Sequence, residues 1–246
     1  NNFVKHNYKV WERIRTSQKS PILISDTFRS PEQMIVTGYF LQVLGKKHNA
    51  KIMSFSNSKN LNIRSIRKSL NFTDHIITKI KDKKIKLKHK EMFESARENI
   101  KSKKDLFNFK VEDISIGIDI YETYLRNGIA TVDLKGKLIW EIISESIELI
   151  LFWKDFFENN KVIGVFLSHD MYISYNSIAK VAYKKNVKVY LASIYNFQIS
   201  TRQFSIYENR FINFPNMFNN LSLQEKEQAL EISKNQLKKR LSGDIG

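Results

Sequence analysis

Apolar and polar positions follow one another along this chain in blocks that predict strands and helices in succession. The clearest block is 162–167, VIGVFL, which stops abruptly at Ser168-His169-Asp170. A run so evenly apolar is expected of a strand buried on both faces. A helical pattern follows over about 174–185, with Asn186 as its end, and 188–192, KVYLA, reads as another buried strand. Just upstream, 137–159 carries Ile139, Trp140, Ile143, Ile147, Ile150, Leu151, Trp153 and Phe157 at helical spacing. That segment predicts a long amphipathic helix.

The N-terminal part repeats the theme. Residues 21–28, PILISDTF, read as a first strand, and Ser30-Pro31-Glu32-Gln33 as an N-cap with proline at the first helical position. The helix carries Met34, Ile35, Tyr39, Phe40 and Leu44, with Gly45 as its expected stop. Residues 51–55, KIMSF, form a second strand, completing a β-α-β unit with parallel strands. From 61 to about 106 the chain is Lys-rich and helical in pattern: Ile76, Ile77, Ile80, Ile85 and Leu87 suggest a short element and a turn, and 92–102 a surface helix. Segment 114–126, ISIGIDIYETYLR, places Ile118, Tyr121 and Leu125 on one helix face. Residues 197–206 show no assignable period. A last helix opens at Ser222 with Glu225 at the capping-box position and runs to about Leu241, before Ser242-Gly243.

Four strands and many helices in this order predict an α/β fold: a Rossmann-like, mostly parallel sheet flanked by helices. The whole of 1–246 reads as one domain, with 222–243 as its closing helix. The chain starts at Asn1 rather than Met and ends in Gly-Asp-Ile-Gly, so it reads as a piece of a longer protein.

Composition narrows the chemistry. There is no cysteine, which excludes disulfides, thiolate metal sites and a cysteine nucleophile. No run approaches the ~18 apolar residues of a membrane span, and no signal peptide is visible. The net charge of +16 suits phosphate-bearing substrates, an anionic membrane surface or nucleic acid. Richness in Lys, Asn and Ile accounts for part of that charge. Lys outnumbers Arg and aromatics do not interleave with the basic runs, which argues against a dedicated nucleic-acid surface. The most basic stretch, 79–90, reads either as a solvated helix face or as a membrane- or phosphate-attracting one. The glycine signatures of P-loop and dinucleotide-binding proteins are absent, as is a GxSxG elbow, and the five histidines lack metal-ligand spacing.

Three clusters carry candidate chemistry. Ser168-His169-Asp170 lies where a buried strand meets a helix, the edge at which open α/β sheets bind ligands. His169 suits general acid–base work near neutral pH or donation to a phosphate or hydroxyl. Asp170 reads equally as a ligand contact or as the cap of the next helix. Tyr172, Tyr175 and Asn176 line the same crevice or simply pack. Asp119, Glu122 and Arg126 are spaced to share a helix face, either as an ion-pair set or as a base with an anion-binding arginine. Asp26 and Arg29 end the first strand on the same sheet edge, as ligand contacts or as parts of a connecting loop.

Segments IGIDIYETYLR and VIGVFLSHDMYISYNSIAKVAYKKNVKVYLAS, in this order, resemble bacterial capsule and surface-polysaccharide biosynthesis proteins. Members show a Gly-x-Leu-Ile-Tyr-Asp-x-Tyr-Leu-Arg segment, a Ser-His-x-x-Tyr turn, a Val-x-Val-Tyr strand and an Arg-Leu-x-Gly stretch like QLKKRLSG here. Gly117, Tyr121, Tyr124, Leu125 and Arg126 match the first motif, and Ser168, His169 and Tyr172 the second; Glu122 stands where an acidic residue is common, while Asp170 departs from the family's small residue or proline. The resemblance implies a glycosyltransferase of the two-Rossmann-domain (GT-B) type. This chain would be its N-terminal, acceptor-side half, with the donor half missing.

The implied substrates are a nucleotide sugar and a glycan or lipid-linked acceptor, with no cofactor and no metal. The implied location is cytoplasmic, peripheral on the inner membrane. His169 is implied as base or acceptor-positioning group, with Asp119 or Glu122 as alternative bases. Arg126, Tyr121, Ser168, Asp170, Tyr172, Asn176, Asp26 and Arg29 are implied as substrate contacts. The competing classes are a phosphoryl-type transferase acting on surface sugars and a basic nucleic-acid-binding module.

Overall fold

A computed structural model describes residues 2–11, 13–26, 31–56, 64–192, 197–200 and 214–243. Two compact units are present, 1–203 and 204–246. The first is built on a six-stranded sheet flanked by helices, an α/β Rossmann-like fold. Its elements in chain order are α1 (Asn2–Val10), β1 (Ile22–Asp26), α2 (Pro31–His48), β2 (Lys51–Ser56), α3 (Arg64–Ser69) and β3 (Phe72–Ile77). Then come α4 (Lys83–Asn99), α5 (Lys103–Phe107), a small hairpin of β4 (Lys110–Val111) and β5 (Ile114–Ser115), α6 (Gly117–Leu125) and α7 (Lys137–Asn159). The unit closes with β6 (Val162–Leu167), α8 (Tyr172–Lys184), β7 (Lys188–Ala192) and β8 (Phe197–Ser200). The second unit contains α9 (Phe214–Asn219) and α10 (Leu223–Leu241).

The sheet order is β3-β2-β1-β6-β7-β8, parallel except for β8, which runs antiparallel to β7. Counted within this sheet, that is the Rossmann order 3-2-1-4-5-6. From β1 the chain moves outward through β2 and β3; it then returns to β6 on the other side of β1 and moves out through β7. Between β1 and β6 the direction of winding reverses, so the carboxyl ends of these two strands form the topological switch point.

The central strands are buried on both faces, which is why 162–167 is so evenly apolar. On one face Leu23, Ile52 and Phe166 pack against Leu41 of α2 and Leu70, just after α3. On the other, α7 lays down its stripe of Ile139, Ile143, Ile147, Ile150, Trp153 and Phe157, all buried. Trp153 meets Phe55 of β2 edge-on, with ring centroids 5.1 Å apart. Burying a side chain of this size contributes about 2–3 kcal/mol. Glu112, at the β4–β5 turn, pairs with both Lys88 of α4 and Lys154 of α7.

Several expectations change. There are six strands in the main sheet, not four. β3 lies within the stretch read as helical; it is an edge strand whose Thr73 and Asp74 are exposed, so its apolar signal is thin. The surface helix expected over 92–102 begins nine residues earlier, where Asp82 caps α4 by accepting from the Lys84 and Ile85 amides. Most of the basic run 79–90 therefore lies on an exposed face of α4 and the turn before it.

Gly45 does not stop α2. The helix continues to His48 and ends at Asn49, which takes the left-handed conformation (φ 48°). Gly45 is instead a point of close approach: a Cβ there would lie 2.7 Å from Ile14 Cδ1 and 3.1 Å from Ile52 Cδ1. In α6 the buried face is Gly117, Ile120 and Tyr124, with Asp119 beside them, while Ile118 is exposed. Gly117 is required sterically, since a Cβ would fall 1.8 Å from the Leu106 carbonyl oxygen. Strands 162–167 and 188–192 and helix 137–159 match their expected bounds. Helix α10 carries the expected Ser222–Glu225 capping box.

Candidate functional site

The switch point is joined by one side chain. Asp26, the last residue of β1, accepts two hydrogen bonds on Oδ2, from the Ser168 amide and the Ser168 hydroxyl, each 2.8 Å long. Ser168 is the first residue after β6, so the parallel pairing of β1 with β6 delivers the two together. The other oxygen, Oδ1, is buried and has no hydrogen-bond partner among the described residues. Burial pushes the Asp26 carboxyl up from 3.8 to about 6, against the pull of the two Ser168 bonds and the Arg67 charge. A carboxylate with one oxygen fixed, one unpartnered and a raised affinity for protons is suited to accept a proton near neutral pH.

His169 stands next to this pair. Its ring packs edge-on against Tyr175 at 4.3 Å and Tyr172 at 5.7 Å. The Met171 amide donates to Nδ1 at 3.3 Å. With Nδ1 accepting, the neutral ring carries its proton on Nε2. His169 in that form is a donor. Tyr172 begins α8 in the left-handed conformation, φ 60°, unusual for a bulky residue and a form of backbone strain that clusters at functional sites.

Helix α6 supplies a second wall, and here the expected neighbours are only partly brought together. Asp119 does not pair along its own helix. It accepts from Asn176 on Oδ1 and from Lys180 on Oδ2, both on α8. Both oxygens are taken, which makes Asp119 an interhelix tie rather than an available base. Thr123 strengthens the tie: its hydroxyl donates to the Asp119 carbonyl at 2.6 Å and accepts from the Ile173 amide at 3.0 Å. That satisfies one of the orphan donors in the first turn of α8.

Glu122 is different. Burial raises its pKa first, then the negative charges of Asp119 and Asp170, with Lys180 opposing them. Arg126 lies over the Tyr172 ring, 4.6 Å from its centroid, and so reaches the α8 entrance.

One assignment is corrected. Asp170 does not cap α8 with its side chain: the N-cap is Met171, which makes no side-chain cap. Asp170 is nonetheless buried, and its charge is felt at Glu122. The Tyr121 hydroxyl accepts from Lys103 of α5 at 2.9 Å and its ring meets Phe107 of α5 at 5.0 Å. Arg29 lies outside the described residues.

Sequence reasoning passed over Lys180, Thr123 and Arg67. The first two had a signal: Thr123 follows Asp119 by four, and Lys180 follows Asn176 by four, so two helices present matching pairs. Arg67 had none, since its neighbours come from separate elements.

Among the described residues no cluster of His, Asp and Glu is arranged to hold a metal ion, and no helix is long and apolar enough to cross a membrane. No protein family, no curated protein and no solved structure matches this chain.

Proposed function

We propose that this chain is the acceptor-side domain of a glycosyltransferase acting in bacterial surface-polysaccharide synthesis. One observation carries the reading: at the switch point Asp26 keeps a buried carboxylate oxygen with no hydrogen-bond partner among the described residues, and a pKa of about 6. Transfer of a sugar to a hydroxyl needs a base on that hydroxyl as the new glycosidic bond forms and the nucleotide leaves. Asp26 takes the proton in this reading. His169 donates from Nε2 to a neighbouring acceptor oxygen and so orients the hydroxyl. Ser168 holds Asp26 in place. Tyr175 and Tyr172 give the sugar ring an apolar wall, and Arg126 extends it with positive charge. The nucleotide sugar is a substrate bound from the opposite side of the cleft, and the basic surface of α4 favours an anionic inner-membrane face, where lipid-linked acceptors lie.

The test is transfer of labelled sugar from nucleotide-sugar donors to surface-glycan acceptors, with this chain in its natural sequence context. The reading expects transfer by the wild type and a drop of about 10²–10³-fold in Asp26→Asn, the range of a lost general base. No transfer with any donor, or wild-type turnover by Asp26→Asn, contradicts it.

A further inference from the structure

On the α2–α3 side of the sheet, β2 and β3 end in a polar cluster that the transfer reading does not use. Parallel register sets Ser54 beside His75, and strand alternation brings Ser56 up on the same face. His75 sits between the two hydroxyls, with Ser54 Oγ 2.8 Å from Nδ1 and Ser56 Oγ 2.9 Å from Nε2. Arg67 of α3 reaches over them: its Nη1 lies 3.3 Å from Ser54 Oγ and 3.2 Å from His75 Nδ1. A guanidinium can only donate, so Ser54 accepts from Arg67.

The Arg67 charge lacks a contact counter-ion among the described residues. Arg67 is 6% exposed, and its Nη2 is buried with no hydrogen-bond partner among the described residues. Asp26 attracts it, but without an ion-pair contact. A buried guanidinium with an unmade hydrogen bond and no ion in contact is costly to the fold. An oxyanion seated on Nη2 removes both deficits. Ser56 and His75 are half-buried.

We propose that Arg67, Ser54, Ser56 and His75 bind the phosphoryl group of a small molecule at the carboxyl edge of β2 and β3. A guanidinium, two hydroxyls and an imidazole approach from different directions, which suits a tetrahedral oxyanion better than a flat carboxylate. The cluster lies at the carboxyl ends of β2 and β3, on the same sheet edge as the switch point between β1 and β6. The site goes beyond the transfer reading and stands without it. Its phosphoryl group can belong to a nucleoside diphosphate or to a phosphorylated sugar, which present the same terminal oxyanion.

The test is an NMR titration of the full chain, following the Arg67 Nε–H and His75 ring resonances. Inorganic phosphate is expected to move both saturably, while chloride and acetate at matched ionic strength do not. In Arg67→Met, phosphate affinity is expected to fall at least about tenfold, as loss of a charge-assisted hydrogen bond implies. Arg97→Met, which alters a cation stacked on Trp140 of the α4–α7 surface, should leave affinity unchanged and so reports non-specific attraction to a basic protein. Uridine diphosphate and glucose 1-phosphate, titrated separately, identify the source by which of them binds more tightly through the same resonances.

The proposal is overturned by an unsaturable or absent response to phosphate, by an equal response to acetate, or by unchanged affinity in Arg67→Met. Weaker binding of both esters than of inorganic phosphate also overturns it. Should Arg67→Met fail to fold, the wild-type titration against acetate and chloride decides alone.

Discussion

Asp26 and Asp119 are equally hidden, each 3% exposed, yet their surroundings differ in kind. Asp119 sits between α6 and α8 with Lys180 on one oxygen and Asn176 on the other. Asp26 sits between β1 and β6 with both of its bonds on one oxygen, from one residue. Burial alone therefore does not distinguish a structural carboxylate from a chemical one; pairing does. Asp119, with a contact cation on one oxygen and an amide on the other, holds two helices together. A buried carboxylate without such a cation becomes a stronger base, and the fold carries the cost.

The sharpest way to break this contrast is to exchange the two consequences. Asp26→Asn is expected to lower transfer by about 10²–10³-fold with the fold retained, whereas Asp119→Asn should cost stability before activity. Measuring turnover and urea midpoints for both variants checks this, and a fold lost in Asp26→Asn with activity spared in Asp119→Asn would reverse the roles.

A second test is thermodynamic. The Asp26 carboxyl rises from 3.8 to about 6 on folding, so between those values the folded chain holds a proton that the unfolded chain has released. Stability from this group is thus present below about pH 4 and lost as pH rises to about 6, amounting to about 3 kcal/mol. The wild type should lose that amount relative to Asp26→Asn between pH 4 and pH 7 in urea unfolding. Parallel curves for the two proteins would show that Asp26 is an ordinary carboxylate.

Removing Lys180 should have a smaller effect on the other member of the comparison. Lys180→Met strands Asp119 without its cation and is expected to destabilise by about 2–3 kcal/mol, below the full value for a buried pair because Lys180 is about a quarter exposed. The loss should shrink in an Asp119→Asn background, which a double-mutant cycle reads directly. Smallest of all, Arg126→Ala removes a cation from the Tyr172 ring at the exposed entrance of α8 and should change stability by less than about 1 kcal/mol.

The two regions also differ in how far they could be read from the chain. Strand 162–167, helix 137–159 and the Ser222–Glu225 capping box follow from local patterns, and each has the expected bounds. Asp26 and Ser168 could be placed on one edge because two parallel strands ending in polar residues must share it. β3 was not legible, because as an edge strand it keeps exposed Thr73 and Asp74 among a few apolar positions. Nor was the stop of α2, where Gly45 serves close packing against Ile14 and Ile52 and Asn49 makes the turn. The pairing of Asp119 was hidden for another reason: spacing along one helix suggested Glu122 and Arg126 as partners, while the true partners lie on α8. The Arg67–His75 cluster draws on three elements whose order in space only the sheet topology supplies.

All of these contrasts rest on the state of one carboxyl group. A pH titration of the Asp26 side-chain carbon by NMR in the wild-type chain measures it directly. The midpoint is expected near pH 6. An Asp26 midpoint at or below about 4, the ordinary range for an aspartate, would contradict the assignment of Asp26 as the base of the switch-point site.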